Sequence, residues 1–306
     1  MSDHYTHLAV HAGQSSIRLR LVGGREPREG TAPGVVVDRP LPPQWAAAVT
    51  CFLTDHPVPV DTVTLGCSSL GTHTAHEVLQ LIERTSVRRV ILAHDSVTNF
   101  LGAFGEGEGC VISANTGTIC LAVGPRETTT VDGWGHLLGD AGSAYWIGRS
   151  GLEAALRGHD GRRQMTALTR AMADTFQHIE HAHLDLQSTP DRVARIASFA
   201  KQVMALAPTD RVAANILDKA AAHLSEAVQA AVRRAHLTGP EPPRVSPLGL
   251  VFQNQQVLRR FTDFLTLQWP TFAVTIPKGD ALDGASKLVT LDAAHPLHAR
   301  LSAAER

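Results

Sequence analysis

The order of strands and helices predicted for this chain occurs twice, and that repetition constrains the fold more than any single motif. In the first copy, apolar runs at 7–12 and 17–21 flank a short turn, and the second run alternates apolar residues with arginine, which is strand spacing. In the second copy, runs at 110–114 and 119–123 flank a similar turn. Each copy continues with a third strand and then a helix. Two such copies predict an α/β protein with two sheets around a central cleft.

The remaining elements follow from the same periodicities. The first copy has predicted strands at 35–37, 61–67 and 87–93, and predicted helices at 45–53, at 74–83 and from Ser96. The second copy has a third strand at 128–131, a helix near Ser143, and strands at 245–252 and 272–276, with helices from Asn254 and Asp280. Between them, an apolar residue recurs every fourth position from Val212 to Val232, which indicates a helical insertion. We expect domains at 1–108 and 109–287.

Composition argues against several classes of function. The 306 residues include 28 basic and 29 acidic side chains, for a formal charge of −1, so no global positive field attracts nucleic acid or an anionic membrane. No apolar run reaches the ~18 to 20 residues that span a bilayer, and the first residues lack a signal-peptide pattern. We expect a cytoplasmic protein that binds neither nucleic acid nor membrane. Its four cysteines have no CxxC spacing, which favours reduced, buried thiols.

The turn in the first hairpin of each copy is a candidate phosphate-binding site. Backbone N–H groups in a tight turn donate to anionic oxygens without a basic side chain. Either turn alone is typical of a plain β-turn, whereas their common position in two repeated units favours phosphate binding. The candidates are Gly13, Gln14, Ser15 and Ser16 in the first copy, and Thr116, Gly117 and Thr118 in the second.

Two aspartates are candidates for chemistry. Asp95 lies where a strand ends and a helix begins, so its local context is that of a helix N-cap. The carboxyl end of a parallel strand is also where α/β sheets place ligands, and a carboxylate there can accept a proton from a hydroxyl that attacks a γ-phosphate. Asp140 lies between the glycines of the stretch 133–148, GWGHLLGDAGSAYWIG, which is the pattern of a buried acid beside a ligand.

Seven stretches of the chain together resemble the BadF/BadG/BcrA/BcrD ATPase family, which includes N-acetylglucosamine kinases and shares the fold group of actin, hexokinase and Hsp70. The resemblance covers nearly the whole length, with the stretches in family order. It implies two ribonuclease H-like domains and a C-terminal helix, 288–306, that returns to the first domain. The stretches are LAVHAGQSSIRLRL, LGCSSLG, LAHDSVTNFLGA, ISANTGTICLAVG, GWGHLLGDAGSAYWIG, PLGLVFQN and GDALDGA.

The resemblance also implies roles for individual residues. Asp95 matches the general base of the family, and Asp140 matches a carboxylate that bonds sugar hydroxyls. Ser68 or Ser69 matches a sugar-contacting serine, and Ala144 also falls at a substrate position. The hairpin Gly13–Ser16, the turn Thr116–Thr118, Gly249, Leu250 and Asn254 fall at nucleotide positions. ATP and Mg²⁺ are the implied cofactors, and a homodimer is the implied assembly.

The chain departs from the family pattern at three nucleotide positions. His11 stands where relatives carry the aspartate that holds Mg²⁺ through water, and an imidazole is a poor substitute for a hard oxygen ligand. Asn115 replaces a glycine of the second phosphate turn, where a side chain can crowd the backbone, although Asn tolerates positive φ. Leu250 replaces the second glycine of the adenosine turn.

These patterns leave two main hypotheses. The first is an enzyme that transfers phosphate from ATP to a small sugar, such as N-acetylglucosamine or glucosamine. The second is a weakened or inactive homologue that keeps a sugar or nucleotide pocket, as His11, Asn115 and Leu250 suggest. A third, an iron–sulfur ATPase of the other branch of the family, is disfavoured because the four cysteines are not clustered in sequence and none follows Cys120.

Overall fold

The computed structural model of this chain describes residues 5–26, 28–83, 85–176, 178–237, 239 and 241–306. The chain divides into two compact units. The first comprises the residues up to Glu108 together with Val123–Thr128 and Ile276–Arg306, and the second comprises Gly109–Ala122 and Thr129–Thr275. Each unit contains its own sheet and its own hydrophobic core, which confirms the prediction of an α/β fold with two sheets.

The first unit contains a six-stranded sheet. In spatial order β10-β5-β4-β1-β2-β3, the three middle strands β5, β4 and β1 run parallel, so their carboxyl ends meet at one edge. Strands β2, β3 and β10 pair antiparallel with their neighbours. The strands are β1 (His7–Ala12), β2 (Ser16–Val22), β3 (Arg28–Pro33), β4 (Thr62–Cys67), β5 (Arg89–His94) and β10 (Ser302–Glu305); the helices are α1 (Leu41–Asp55), α2 (Ala75–Leu81), α3 (Asp95–Phe104) and α11 (Ala281–Ser286).

Strand β1 is buried on both faces. Leu8 and Val10 belong to the core that includes α1 and α2, whereas Ala9 packs against Leu282 and Ala285 of α11. Because side chains alternate along a strand, His11 lies on the same face of the sheet as Ala9. The sheet therefore directs His11 toward the layer formed by α3 and α11.

Helices α3 and α11 pack at backbone contact. A Cβ added to Gly284 would lie 1.7 Å from the Thr98 carbonyl oxygen, and one added to Gly102 would lie 2.0 Å from the Asp280 carbonyl oxygen. Real Cβ atoms do not approach a carbonyl so closely. The two glycines therefore allow the close distance between the helices. Because α3 begins with Asp95, this packing also positions Asp95.

Substituting Gly284→Ala is expected to destabilise the protein by about 3 kcal/mol, because the added methyl group forces two backbones apart. Alanine is otherwise the better helix former by roughly 1 kcal/mol, so the sign of the change separates packing from helix propensity. Urea unfolding measures the difference. The control is Gly239→Ala, where an added Cβ meets nothing within 4 Å. A Gly284→Ala variant as stable as the wild type would contradict the packing argument.

The second unit contains a four-stranded sheet and the helical insertion. The sheet order is β8-β7-β6-β9, and β6 and β9 pair in parallel. Helices α5 to α9 form the insertion, and the long helix α9 buries one face, as its four-residue period predicts. The strands are β6 (Gly109–Ala114), β7 (Thr118–Val123), β8 (Thr128–Asp132) and β9 (Val245–Leu248); the helices are α4 (Ala144–His159), α5 (Ala167–Thr175), α6 (Ala182–Ser188), α7 (Arg192–Ser198), α8 (Ala200–Leu206), α9 (Arg211–Arg234) and α10 (Gln255–Gln268).

Two predicted strands are wrong. The third strand of the first copy lies at Arg28–Pro33 and not at 35–37, where Val36 and Val37 are half exposed. Strand β3 is an edge strand with one hydrogen-bonded neighbour, so it needs few apolar residues. The predicted strand at 272–276 is reduced to a single bridge between Val245 and Val274.

The C-terminal segment differs from its prediction in form and in extent. The predicted helix 288–306 is wrong: the segment contains short 3₁₀ turns and then strand β10, which pairs with β5. Residues from Ile276 onward, including α11, belong to the first unit, so the second unit ends before the predicted residue 287. The reason is packing, since α11 lies against α3 and β1.

No helix of the described residues is long and apolar enough to cross a membrane. The cysteines are free thiols, and Cys67, Cys110 and Cys120 are buried as predicted. Cys51 is exposed on α1, which corrects the prediction for that residue. Burial raises the pKa of the Cys67 and Cys120 thiols well above the usual value.

Candidate active site

Asp95 lies at the carboxyl edge of the parallel strands of the first unit. It is the first residue of α3, directly after β5. The N-cap of α3 is His94, whose Nδ1 accepts the Ser96 N–H at 3.1 Å, so the capping role considered for Asp95 belongs to its neighbour. His94 Nδ1 also lies 3.0 Å from Asp95 Oδ1, but a nitrogen that accepts a hydrogen bond carries no proton to donate.

The Asp95 side chain is partly exposed, but one of its carboxylate oxygens is buried. The side chain is 19% exposed. Within the part of the chain that the structure describes, Oδ1 is buried and has no hydrogen-bond donor. A buried carboxylate oxygen without a partner is costly to the fold, and such groups concentrate at functional sites. The exposed fraction of the side chain therefore lies outside Oδ1, and it is there that the carboxylate can meet a ligand hydroxyl.

The register of the sheet brings Gly13 and Ser68 to the same edge as Asp95. Cys67 of β4 pairs with His94 of β5, so Ser68 and Asp95 follow on neighbouring strands. Ser68 donates both its N–H and its hydroxyl to the Ala12 carbonyl, at 3.0 Å each, which ties it to β1. Ser69 is exposed and has a positive φ of 58°. Of the two serines, Ser68 is thus fixed to the sheet.

The turn between β1 and β2 is tight and exposed at its tip. The Gly13 N–H donates to the Ser16 carbonyl at 3.0 Å, while Gln14 and Ser15 are exposed. A Cβ on Gly34 would lie 2.1 Å from the Gln14 carbonyl oxygen, so a second segment packs directly against the turn. The segment at Gly34 therefore packs against one side of the predicted phosphate turn, and the tip of the turn is exposed.

His11 lies near Asp95, Arg18 and Asp280. Arg18 pairs with His11 across β1 and β2 and makes a 2.6 Å ion pair with Asp280. Burial lowers the pKa of His11, and the negative charge of Asp95 opposes that shift. His11 is therefore neutral at pH 7, and its buried Nδ1 has no partner among the described residues.

These residues do not fit a protein-bound Mg²⁺ ion. Within the described ranges, no three His, Cys, Asp or Glu side chains are grouped so that they can hold a metal. A neutral imidazole stands at the position where the family resemblance implies a carboxylate. Mg²⁺ prefers hard oxygen ligands, and an imidazole is a poor substitute for one.

In the second unit, the predicted phosphate turn and the predicted sugar carboxylate are in contact. The Thr118 N–H donates to Asp140 Oδ1 at 3.0 Å, and a Cβ on Gly117 would lie 2.9 Å from both carboxylate oxygens. The Thr118 N–H is therefore engaged by Asp140 rather than free for a phosphate. The Thr118 hydroxyl is buried without a hydrogen-bond partner in the described chain.

The first residues of helix α4 are hydrogen-bonded to the same turn. Its first N–H groups, from Ala144 and Tyr145, donate to the carbonyls of Asn115 at 2.8 Å and Thr116 at 3.1 Å. Ala144, predicted at the substrate site, is half-buried and packs against the core of this unit. Its backbone therefore supports the turn.

Asp140 is buried and has an unusual backbone conformation. It is 8% exposed and has φ of 59°, a left-handed value that is rare for residues with a side chain. Burial raises the pKa of its carboxyl, the Thr118 N–H lowers it, and the negative charge of Asp132 raises it. Asp132 was not identified from the sequence; the available signal was a single acid immediately before the glycine-rich stretch.

Asn115 connects the two segments of the second unit that are predicted to bind nucleotide. Its side-chain oxygen accepts the Leu250 N–H at 2.9 Å, and Gly249, with φ of 101°, lets the chain pass close to Ala114. The Asn115 side chain is thus directed to the Gly249-Leu250 turn. Leu250 is 64% exposed. Asn254 caps α10 by accepting the Val257 N–H, so its side-chain oxygen is already used.

Residues 53–285, well over half of the chain, match the sequence model of the BadF/BadG/BcrA/BcrD ATPase family. The chain belongs to this family. The match spans Asp95, Asp140 and the second predicted phosphate turn, whereas the first hairpin lies outside it. Membership confirms the resemblance and agrees with the two-sheet α/β fold.

A curated relative is 28% identical over 201 residues. It is named N-acetylmuramic acid/N-acetylglucosamine kinase and comes from Clostridium acetobutylicum. The alignment covers 64% of this chain and 66% of the relative, so the chain spans just under two thirds of that relative's length.

Solved structures show the same fold. A candidate N-acetylglucosamine kinase from Chromobacterium violaceum has a TM-score of 0.70 at 24% identity, covering 92% of this chain and 97% of its own. A ROK family glucokinase from Streptomyces griseus, solved with glucose and AMPPNP, has a TM-score of 0.52 at 15% identity, covering 93% and 99%. At such identities the likeness supports the fold alone.

Proposed function

We propose that this protein transfers the γ-phosphoryl group of ATP to a hydroxyl of a small amino sugar, such as N-acetylglucosamine or glucosamine. The observation that carries the proposal is the partly exposed Asp95 carboxylate at the carboxyl edge of the parallel strands, whose Oδ1 accepts no hydrogen bond from the described residues. The kinase name of the curated relative supports it.

The proposed chemistry places the proton on Asp95. The sugar hydroxyl oxygen forms a bond to the γ-phosphorus, the bond from that phosphorus to the bridging oxygen of ADP breaks, and the hydroxyl proton moves to the Asp95 carboxylate. ADP leaves with the bond electrons. Because the residues do not fit a bound Mg²⁺ ion, no step is assigned to a metal.

The remaining site residues have binding roles in this proposal. The first turn, Gly13–Ser16, and Thr116–Gly117 of the second turn donate backbone N–H groups to phosphate oxygens. Asp140 accepts hydrogen bonds from sugar hydroxyls, and Ser68 contacts the sugar. The turn Gly249-Leu250 lies against the adenosine, and Asn115 holds that turn through the Leu250 N–H.

The direct test is sugar-dependent release of ADP. The panel contains N-acetylglucosamine, glucosamine, N-acetylmuramic acid and glucose. We expect an amino sugar to support the fastest turnover. If no sugar stimulates ADP release, the kinase proposal is wrong. The homodimer implied by the family resemblance stays a prediction.

His11 favours a second candidate, a weakened homologue that binds sugar or nucleotide without efficient turnover. A neutral imidazole cannot hold the waters of a hydrated Mg²⁺ ion as a carboxylate does. Under this hypothesis ATP binds weakly, and Mg²⁺ increases the affinity for ATP only slightly. Retention of Asp95, whose carboxylate is partly exposed at the edge of the sheet, favours the enzyme instead.

The variant His11→Asp is expected to make ATP binding depend on Mg²⁺. For the wild type, we expect similar ATP affinities in MgCl₂ and in EDTA. For His11→Asp, we expect Mg²⁺ to strengthen ATP binding by about tenfold, or 1.4 kcal/mol, because a carboxylate accepts hydrogen bonds from metal-bound water. Isothermal titration calorimetry measures both. His11→Asn is the matched neutral control. A strong Mg²⁺ effect in the wild type would contradict the argument.

A further inference from the structure

Asp132, at the end of β8, holds the backbone that carries Asp140. Its Oδ1 accepts the Asp140 N–H at 2.8 Å, and its Oδ2 accepts the Ala141 N–H at 3.1 Å. A Cβ on Gly139 would lie 2.4 Å from Asp132 Oδ1, so the absence of a side chain at Gly139 makes room for the carboxylate. Both oxygens of one side chain are therefore bonded to two successive backbone N–H groups.

This arrangement compensates for an unfavourable backbone conformation. Asp140 has φ of 59° and Asp132 has φ of 60°, both in the left-handed region that residues with a Cβ rarely adopt. Such conformations persist only where surrounding contacts enforce them. The two hydrogen bonds that the Asp132 carboxylate accepts supply that enforcement at Asp140 and at the residue after it.

The other end of the Asp140 side chain is fixed as well. The Thr118 N–H bonds Asp140 Oδ1. Oδ2 has no hydrogen-bond donor among the residues that the structure describes, so it is free to accept a ligand hydroxyl. The direction of Oδ2 depends on the backbone at Asp140, and Asp132 sets that backbone.

The charges of the two acids argue against an incidental contact. Two neighbouring carboxylates repel each other, and the negative charge of Asp132 makes ionisation of Asp140 less favourable. An asparagine at position 132 would avoid the repulsion. It would, however, offer one acceptor oxygen and place an NH₂ group against the second N–H donor.

We propose that Asp132 is a positioning residue that aims the Asp140 carboxylate at the sugar hydroxyls. The inference rests on the proposed function, because that function assigns Asp140 to the sugar. Asp132 itself contacts the backbone and not the substrate. Its loss therefore weakens sugar binding without removing a group that takes part in phosphoryl transfer.

The experiment compares Asp132→Asn with Asp174→Asn, an exposed aspartate on α5 of the same unit. For Asp132→Asn we expect the KM for N-acetylglucosamine to rise about tenfold, the scale of one lost charge-assisted hydrogen bond, with kcat and the KM for ATP unchanged. If Asp132 had only a structural role, the substitution would lower the fraction of folded enzyme and therefore the measured kcat, but it would not change the KM for the sugar. An unchanged sugar KM, or equal rises in both KM values, would overturn the inference.

A second measurement does not depend on catalysis. Hydrogen–deuterium exchange of the segment 133–148 should quicken at the Asp140 and Ala141 amides in Asp132→Asn and stay at the wild-type rate in Asp174→Asn. If the wild type phosphorylates none of the sugars, the proposed function fails and exchange alone decides the role of Asp132. Unchanged exchange at those two amides would then overturn it.

Discussion

Replacing Asp95 with Asn is expected to lower kcat for sugar phosphorylation by about 10²- to 10⁴-fold. The amide keeps the size of the side chain but cannot accept a proton from the attacking hydroxyl. Within the described chain no group donates a hydrogen bond to the buried Oδ1, so the substitution breaks no hydrogen bond at that atom. We therefore expect the melting temperature and both KM values to remain close to those of the wild type.

The matched control for this variant is Asp55→Asn, an exposed aspartate at the end of α1 in the same unit. It should have wild-type kcat. Rapid-quench measurement of a single turnover separates the chemical step from product release. If the chemical step in Asp95→Asn keeps the wild-type rate, Asp95 is not the base. The position of its carboxylate then no longer supports the proposed function.

Replacing Asp140 with Asn is expected to raise the KM for the sugar by roughly 10- to 100-fold. A hydrogen bond to a charged group contributes about 1.5–3 kcal/mol, and the substitution exchanges a charged acceptor for a neutral one. The amide oxygen can still accept the Thr118 N–H, so the turn should keep its shape. The KM for ATP should not change.

Stability gives an independent check on this variant. Burial raises the pKa of Asp140, so the folded protein disfavours the ionised form at pH 7. Removing the charge should leave the free energy of unfolding equal to or above that of the wild type. Asp174→Asn serves as the control. If Asp140→Asn has a wild-type sugar KM, Asp140 does not bind the sugar, and a large loss of stability would mean that its role is structural.

The sequence predicted the strands that are buried and the helices that bury one face. The alternation of apolar and charged residues at 17–21 predicted β2, and the apolar residue at every fourth position from Val212 to Val232 predicted α9. Both predictions succeed because each element is specified by the residues it buries. Strands β3 and β10 were missed for the opposite reason. Both are edge strands, formed by backbone hydrogen bonds to a distant segment and not by their own apolar pattern.

Local sequence also could not assign the polar contacts of the site. Asp95 is placed as a capping residue would be, yet His94 caps α3, and the Asp95 carboxylate takes no part in the cap. Asn115 looked like an obstruction in a phosphate turn, yet its side chain accepts the Leu250 N–H, 135 residues away in sequence. Which donor meets which acceptor depends on how remote segments pack.

The amino-acid sequence alone determined the family, the two-sheet α/β fold and the identity of the candidate acids, because burial patterns and short motifs are local properties of a chain. The tertiary structure alone decided that Asp132 holds the Asp140 backbone, that Thr118 is bonded to Asp140, and that α11 belongs with the first unit. These arrangements depend on hydrogen-bond geometry and backbone contact between segments far apart in sequence, and no local pattern encodes such distances.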